Sequence, residues 1–463
     1  MADLAPFVAA SDLIWARTQM AFTLGSHIVL ACIGVAFPAM MMIANYRGLK
    51  KDDPVALTLA QRWSKVTAVT FAVGAVTGTL LSFEIGLLWP GLMSRFGEVF
   101  GIPFAIEGIF FFTEAIFIAI YIYGWERLSP WVHFWSGVPI VIAGIGGALA
   151  VVTANAWMNT PRGFSMGPDG KVTDVKPLEA ILNPASFYEV PHMILAAYMV
   201  TGFLVASVYA VGMLRGRRDR YHRLGFLIPF TVAAIATPVQ IFVGDVAARE
   251  IARDQPVKFA AIEYVQKTST NVPEHIGGIL VDGKVKYAIS LPGMNSFLVG
   301  WSTDTKVIGL DSVPPSERPP ANTLLHLAFG AMVMIGFALL ALALWLAVAW
   351  WRRRDIPRTP WFLRAASVAG IASIVALECG WIVTEVGRQP WVVYRLLRTE
   401  DAVTTAGGVE VTFAVIVGLY LVLGIATVQL LRWMARRWRS EDDVDVPYSP
   451  RAKPRDAAPA GTP

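Results

Sequence analysis

Residues 376–391 read ALECGWIVTEVGRQPW, an apolar stretch that still carries Glu378, Glu385 and Arg388 within three turns. A charge at bilayer depth costs about 2.5–3.5 kcal/mol on insertion scales, so such groups usually mark a function. Glu84, Glu107 and Glu114 fall in apolar runs of the same kind. Glu107 and Glu114 are seven residues apart, as are Glu378 and Glu385. Seven residues is close to two helical turns, so each pair shares a face. Two such faces suit a polar route or a cofactor cleft. Protonated carboxyls on a proton path and ionised carboxylates on a metal both cost less than a bare charge, and the spacing does not choose between them. Buried ion pairs, for example Glu385 with Arg388, would only brace the bundle.

Position sorts the six histidines. His27 falls near the middle of the first apolar run and His192 about a turn and a half into the fifth, where an imidazole must find a partner or bind a metal. His133, His222, His275 and His326 fall in loops or near helix ends, and a solvated or interfacial role is expected for them. Most of the 15 methionines are packing residues. Met332 differs because it lies in the outer half of the seventh run, at the depth of His192. A His and Met pair at one depth is a haem ligation pattern that favours a raised potential. Cys32 and Cys379 both sit in apolar runs and suggest neither a disulfide framework nor a cysteine metal site.

The elements that must position these groups are membrane helices. The 463-residue chain is 55% hydrophobic and only 16% charged, and its mean hydropathy of +0.53 is that of a polytopic membrane protein. Nine apolar stretches, near 14–45, 65–89, 101–123, 134–156, 187–213, 224–244, 322–350, 363–386 and 409–431, are long enough to span. The predicted fold class is an all-α polytopic membrane protein with about nine transmembrane helices. The net charge of +5 comes from basic clusters between these runs, which orient the chain and do not call for a nucleic-acid partner. Lys and Arg crowd 47–65, 215–223, 352–364 and 432–439, placing these segments and the C-terminus in the cytoplasm and the N-terminus outside. MADLAPFVAASDLIWAR has neither a basic n-region nor a small-residue cleavage site, so no removable signal peptide is expected. The chain thus divides into helices one to six over 14–244, an outer segment over 245–321, helices seven to nine over 322–435, and a polar, Pro-rich tail over 440–463 expected to be disordered. VKFAAIEYVQ, KVKYAIS and the PP turns predict that the outer segment is a small packed domain.

The segments ARTQMAFTLGSH, LSFEIG, PFAIEG followed by TEA, YGWERLSP, TANAWMNTP, NPASFYEVPH, KFAAIE, FGAMV and ECGWIVTEVGRQPW occur in this order between about residues 14 and 435. In these the chain resembles subunit I of the cytochrome bd type quinol oxidases. The resemblance implies that His192 and Met332 are the axial ligands of a low-spin haem b. His27 and Glu378 match the axial ligands of two further haems, high-spin b and a third that is haem d or another haem b, with their pairing left open. Glu107 and Glu114 match carboxylates beside the high-spin pair and on the proton route, and Lys258 and Glu263 match quinol-site residues of the outer loop. Arg388 and Trp391 lie in the GRQPW turn at the haem edge, where Glu385 and Arg388 would pair or hold a propionate. Relatives often carry Arg or Gln two residues before the Met ligand; Gly330 stands here and implies a lower potential. The outer loop is short and lacks the long insertion of some members.

The resemblance further implies a multi-pass protein of the bacterial cytoplasmic (inner) membrane that oxidises quinol at the outer face. It would reduce O2 to water with cytoplasmic protons and so generate a proton-motive force without pumping. A homologous subunit II is the implied partner, with a small single-helix subunit as a further candidate. By analogy of fold, the lipid-facing sides of helices one and three would dock it. The carboxylates alone also fit a proton-coupled secondary transporter, which would hold no haem.

Overall fold

The computed structural model describes residues 5–168, 170–320, 322–440 and 447–448. Its frame is nine long helices: α1 (Ala5–Lys51), α2 (Pro54–Leu88), α3 (Pro90–Gly124), α4 (Pro130–Asn159), α5 (Ser186–Leu214), α6 (Arg220–Asp254), α7 (Asn322–Arg353), α8 (Pro360–Gly387) and α9 (Val409–Ser440). Among the described residues, nine helices are long and apolar enough to cross a membrane, as the hydropathy predicts. The expected tail over 440–463 lies almost wholly outside the described residues.

Turn chemistry sets the helix starts. Asp53 caps α2 by accepting the amide of Ala56 at 3.3 Å, with Pro54 in the first turn where its missing N–H costs nothing. Asp219 caps α6 in the same way through the amide of His222. Asp53 is buried and takes two cations, Arg47 at 3.3 Å and Arg220 at 2.6 Å, tying the α1–α2 turn to the start of α6. Arg223 and Asp355, 2.6 Å apart, tie α6 to the α7–α8 turn. These bonds lie at the basic end of the bundle.

Helix α1 is the hub, packing on α2, α4, α5, α6, α8 and α9. In its apolar window 56% of residues are buried, against 11% for α3 and none for α9. Helix α1, in contact with six neighbouring helices, therefore leaves less open surface for a docking side than α3 does. The exposed face of α3, with Ile109, Phe112 and Ile116, remains open. A second group is formed by α5, α6, α7 and α8 around Phe203, Phe226, Phe230 and Phe362.

Helix α6 continues to Asp254, so the outer segment starts ten residues later than the hydropathy placed it. The Ala247–Asp254 stretch is too polar to register as membrane, yet it keeps helical hydrogen bonding until Gln255. The short helix Pro256–Ile262 follows at once. Beyond it come β1 (Glu274–Ile276), β2 (Ile279–Val281), β3 (Lys284–Lys286) and β4 (Ile289–Leu291), with β1 antiparallel to β4 and β2 to β3. Val257, Phe259, Ala260, Ala261, Val265 and Leu310 form one core with Leu325 at the head of α7. The loop domain is thereby seated on the bundle.

Candidate functional site

A cleft of about 610 Å³ opens between α1, α2, α3 and α4, with parts of α5 and α8 at its edge. That is within the range of about 300–1,000 Å³ usual for ligand pockets. His27, Glu107 and Glu114 line it, as do Asn155, Glu385 and Arg388 toward the loop domain.

The hydrogen bonding of His27 fixes its tautomer. Its Nδ1 lies 2.9 Å from Thr77 Oγ1, and that hydroxyl has carbonyl acceptors at 3.1 Å, Val73 O and Gly74 O. The single hydroxyl proton goes to a carbonyl, so Nδ1–H donates to Thr77 and Nε2 keeps its lone pair. The ring lies against Gly78, where an added Cβ would come within 3.0 Å of Cε1 and 3.4 Å of Nε2.

The other donors repeat this arrangement. Glu378 lies against Gly25 of α1, where a Cβ would meet Oε2 at 3.1 Å. His192 lies against Gly244 of α6, with a Cβ 3.3 Å from Cε1, and Met332 lies against Gly380 of α8, with a Cβ 3.1 Å from Sδ. Nδ1 of His192 is buried without a hydrogen-bond partner. No hydrogen bond or ion pair of Glu378 occurs among the described residues. Helices α5 and α7, which carry His192 and Met332, make almost no direct backbone contact although both pack on α6 and α8. His192 and Met332 thus stand on two helices that are joined through α6 and α8 rather than directly. Gly25 and His27 are two residues apart on α1, about 200° around the helix, so Glu378 and His27 approach it from different sides.

No group of three or more His, Cys, Asp or Glu among the described residues could cage a metal ion. Haem iron needs only axial donors, and the donors present fit it: an imidazole with a free Nε2, a second imidazole with an unsatisfied nitrogen, a thioether and an unpaired carboxylate. A Cβ at any of the four glycines would crowd its donor.

The carboxylates fall into different surroundings. Glu107 and Glu114 line the cleft without a hydrogen bond or ion pair among the described residues, and Glu114 Oε1 is buried. Two turns further along α3, Tyr121 accepts a hydrogen bond from Asn45 at 2.7 Å. Glu84 accepts from Gln19 at 3.0 Å and Thr23 at 2.6 Å, which ties it into the α1–α2 contact. Glu385 pairs with Arg388 and accepts from Asn155 at 2.9 Å. Arg388 also reaches Met158 Sδ at 3.3 Å.

Lys258 and Glu263 share the short helix Pro256–Ile262 and its C-cap but face different groups. Lys258 is buried, its stem against Gly387, beside Glu189, Arg388 and Glu385. Burial depresses its pKa to about 8, partly offset by Glu189. With Gln255, Arg388, Trp391 and Tyr394 it lines a narrow cleft. Glu263 is only 3% exposed and lies with Glu274 instead. Trp391 opens a strand, Trp391–Val393, and carries the Arg398 guanidinium 5.4 Å from its ring centre.

Two histidines depart from the solvated role expected of them. His133 is fully buried, with Nε2 2.7 Å from Tyr121 O and Nδ1 on Tyr448 OH. His326 is 2% exposed and bonded at both nitrogens. Their places near helix ends suggested water, but Tyr448 covers the first and the loop domain the second. Sequence reasoning also missed Glu189, which accepts from Asn159 at 2.7 Å. It stands in NPASFYEVPH three residues before His192, so the signal was present. Thr77 and the four glycines gave none, because their roles arise only where helices meet.

Residues 15–438 match the family described as cytochrome bd terminal oxidase subunit I. The chain is similar to "Putative cytochrome bd menaquinol oxidase subunit I" of Bacillus subtilis (strain 168), with 37% identity over 446 residues, 95% of this chain and 100% of the relative. It is also similar to cytochrome bd-II ubiquinol oxidase subunit 1 of Escherichia coli (strain K12), 25% identical over 91% of this chain and 95% of that one. Among solved structures, a chain of the bd oxidase from Geobacillus thermodenitrificans superimposes with a TM-score of 0.86 at 35% identity, covering 92% of this chain and 98% of that one.

Proposed function

The chain belongs to the cytochrome bd terminal oxidase subunit I family, and on that premise we propose that it is the haem-carrying subunit of a respiratory quinol oxidase in a bacterial membrane. The observation that carries this reading is the set of four membrane-embedded donors, His27, His192, Met332 and Glu378, each set against a glycine of a neighbouring helix. His192 on α5 and Met332 on α7 would hold a low-spin haem b. His27, through Nε2, and Glu378 would hold two further haems on different sides of α1. Once held, the haems supply one-electron transfer and the reduction of O2 to water.

The protein's own groups do the rest. Lys258 and Glu263 bind quinol at the loop domain, Lys258 by donating to a quinol oxygen and Glu263 by taking a proton. Glu107 and Glu114 hand protons into the cleft from the basic, cytoplasmic end, so charge separates without a pump. The basic face is cytoplasmic and the loop domain outside. Membership as a subunit I implies a subunit II, and the exposed face of α3 supports docking there. A proton-coupled transporter would use the carboxylates but gives no purpose to the buried, unsatisfied nitrogen of His192.

The test is a reduced-minus-oxidised spectrum of purified His192→Ala and Met332→Leu variants. Each loses the low-spin haem and keeps the other two. A full low-spin spectrum in either variant refutes the ligand assignment.

A further inference from the structure

Glu263 does not stand alone at the foot of the loop domain. Its side chain is hydrogen-bonded to that of Glu274, at the start of β1, while its other oxygen, Oε2, is buried without a partner. Two carboxyls in contact cannot both be ionised, so the pair holds a proton between them. Burial, with the charge of Glu274 added, pushes Glu263 well above the usual carboxyl range. Burial raises Glu274 too, but its anion is supported by Asn295, which donates to Oε2 at 3.1 Å, and by the charge of His326. Of the two, Glu263 therefore holds the shared proton more firmly, and Glu274 is the better supported as an anion.

His326 makes that arrangement one-sided. Its Nδ1 lies 2.8 Å from Ile262 O and its Nε2 3.0 Å from Gly277 O. Both partners are carbonyls, which only accept, so the ring donates to the loop domain from whichever nitrogen carries a proton. Tyr264 stacks on its face with ring centres 4.2 Å apart. The ring is held by Ile262, next to Glu263 in the chain, and by the turn after β1, and from there it favours charge on Glu274. His275, also on β1, is the other titratable group near this ring, and its Nδ1 is engaged with Ser290. Lys258 faces Glu189, Glu385 and Arg388 instead.

We propose that Glu274 acts behind Glu263 as the second group of a proton relay, and that the two carboxyls lead from the bound quinol to the outer surface, poised by His326. This rests on the quinol reading of Lys258 and Glu263 and extends it. The quinol O–H bond breaks and a new O–H bond forms on Glu263 Oε2. The proton already on the other oxygen of Glu263 passes to Glu274, so Glu263 ends as it began, a neutral acid. Glu274, which is only partly buried, then releases the proton to water and is again an anion. One electron leaves the quinol for each proton, by the one-electron chemistry of the proposed function, and two such rounds convert quinol to quinone.

Glu274→Gln keeps a hydrogen-bonding group toward Asn295 and Glu263 but cannot accept a proton. Quinol-driven oxygen uptake should fall at least about tenfold, the low end of what removing an acid–base group costs. Uptake with an artificial electron donor and the haem spectrum should stay unchanged, and Glu274→Asp should restore much of the quinol rate. A wild-type quinol rate in Glu274→Gln, or equal loss in the Gln and Asp variants, overturns the relay. Infrared titration of the same preparations reads the shared proton without turnover. The protonated-carboxyl band of the wild type should move or vanish in both Glu263→Gln and Glu274→Gln; a band that Glu274→Gln leaves in place overturns the relay whatever the rates show. Failure of the wild type to oxidise quinol would count against the proposed function, and the infrared result would then decide the carboxyl pair alone.

Discussion

Replacing Thr77 with valine removes one oxygen and keeps the shape of the side chain. Thr77 is 1% exposed, so no water takes the place of the lost acceptor 2.9 Å from His27 Nδ1. The imidazole then either leaves a buried N–H unpaired, at about 1–3 kcal/mol, or moves its proton to Nε2 and gives up the lone pair that binds iron. The loss of such an outer hydrogen bond weakens metal binding about 10- to 100-fold, roughly 1.4–2.8 kcal/mol, which agrees with the first figure. The measurement is haem content per protein, with optical spectra, after graded detergent washing. Thr77→Val should release the His27 haem at milder washing while the low-spin haem stays. Thr77→Ser keeps the hydroxyl and should behave as wild type. Equal retention of the His27 haem in the Val variant and the wild type would refute the tautomer reasoning.

Gly380→Ala puts a methyl 3.1 Å from Met332 Sδ, so the low-spin band should shift or weaken while quinol affinity is kept; an unchanged spectrum would show that the contact does not constrain the ligand. Lys258, with its pKa depressed to about 8, is charged below that pH and neutral above it. The KM for quinol should therefore rise as pH passes about 8, and Lys258→Arg, which keeps its charge throughout, should remove the rise; parallel profiles would rule out the charge as the cause. Glu107→Gln cannot relay a proton in a dry cleft, so steady-state O2 reduction should slow while quinol KM holds, and the reverse pattern would move Glu107 off the proton route.

The nine helices were legible because each needs about 20 apolar residues in a row, and nothing else in a chain of this composition produces that signal. The heights of His192 and Met332 along their helices were legible by counting from the helix ends. Their relation across the bundle was not, because it depends on α5 and α7 standing apart while α6 and α8 bridge them. How little of α1 is left open was hidden for a related reason. Hydropathy gives the same reading for a residue facing lipid and one facing another helix, and α1 is apolar because it touches six neighbours. His326 shows the converse limit. It stands near the head of α7, where sequence places an interface, and only the folded loop domain brings two carbonyls to its ring.

The central claim is that this chain binds haems which quinol can reduce and O2 can reoxidise. The direct measurement is an optical spectrum of the purified protein, with its subunit II, recorded first under anaerobic quinol and then after admitting air. Haem bands should appear on adding quinol and disappear with oxygen, and the low-spin component should be missing in Met332→Leu. A protein without haem bands, or one whose haems a chemical reductant reduces but quinol does not, would contradict the account.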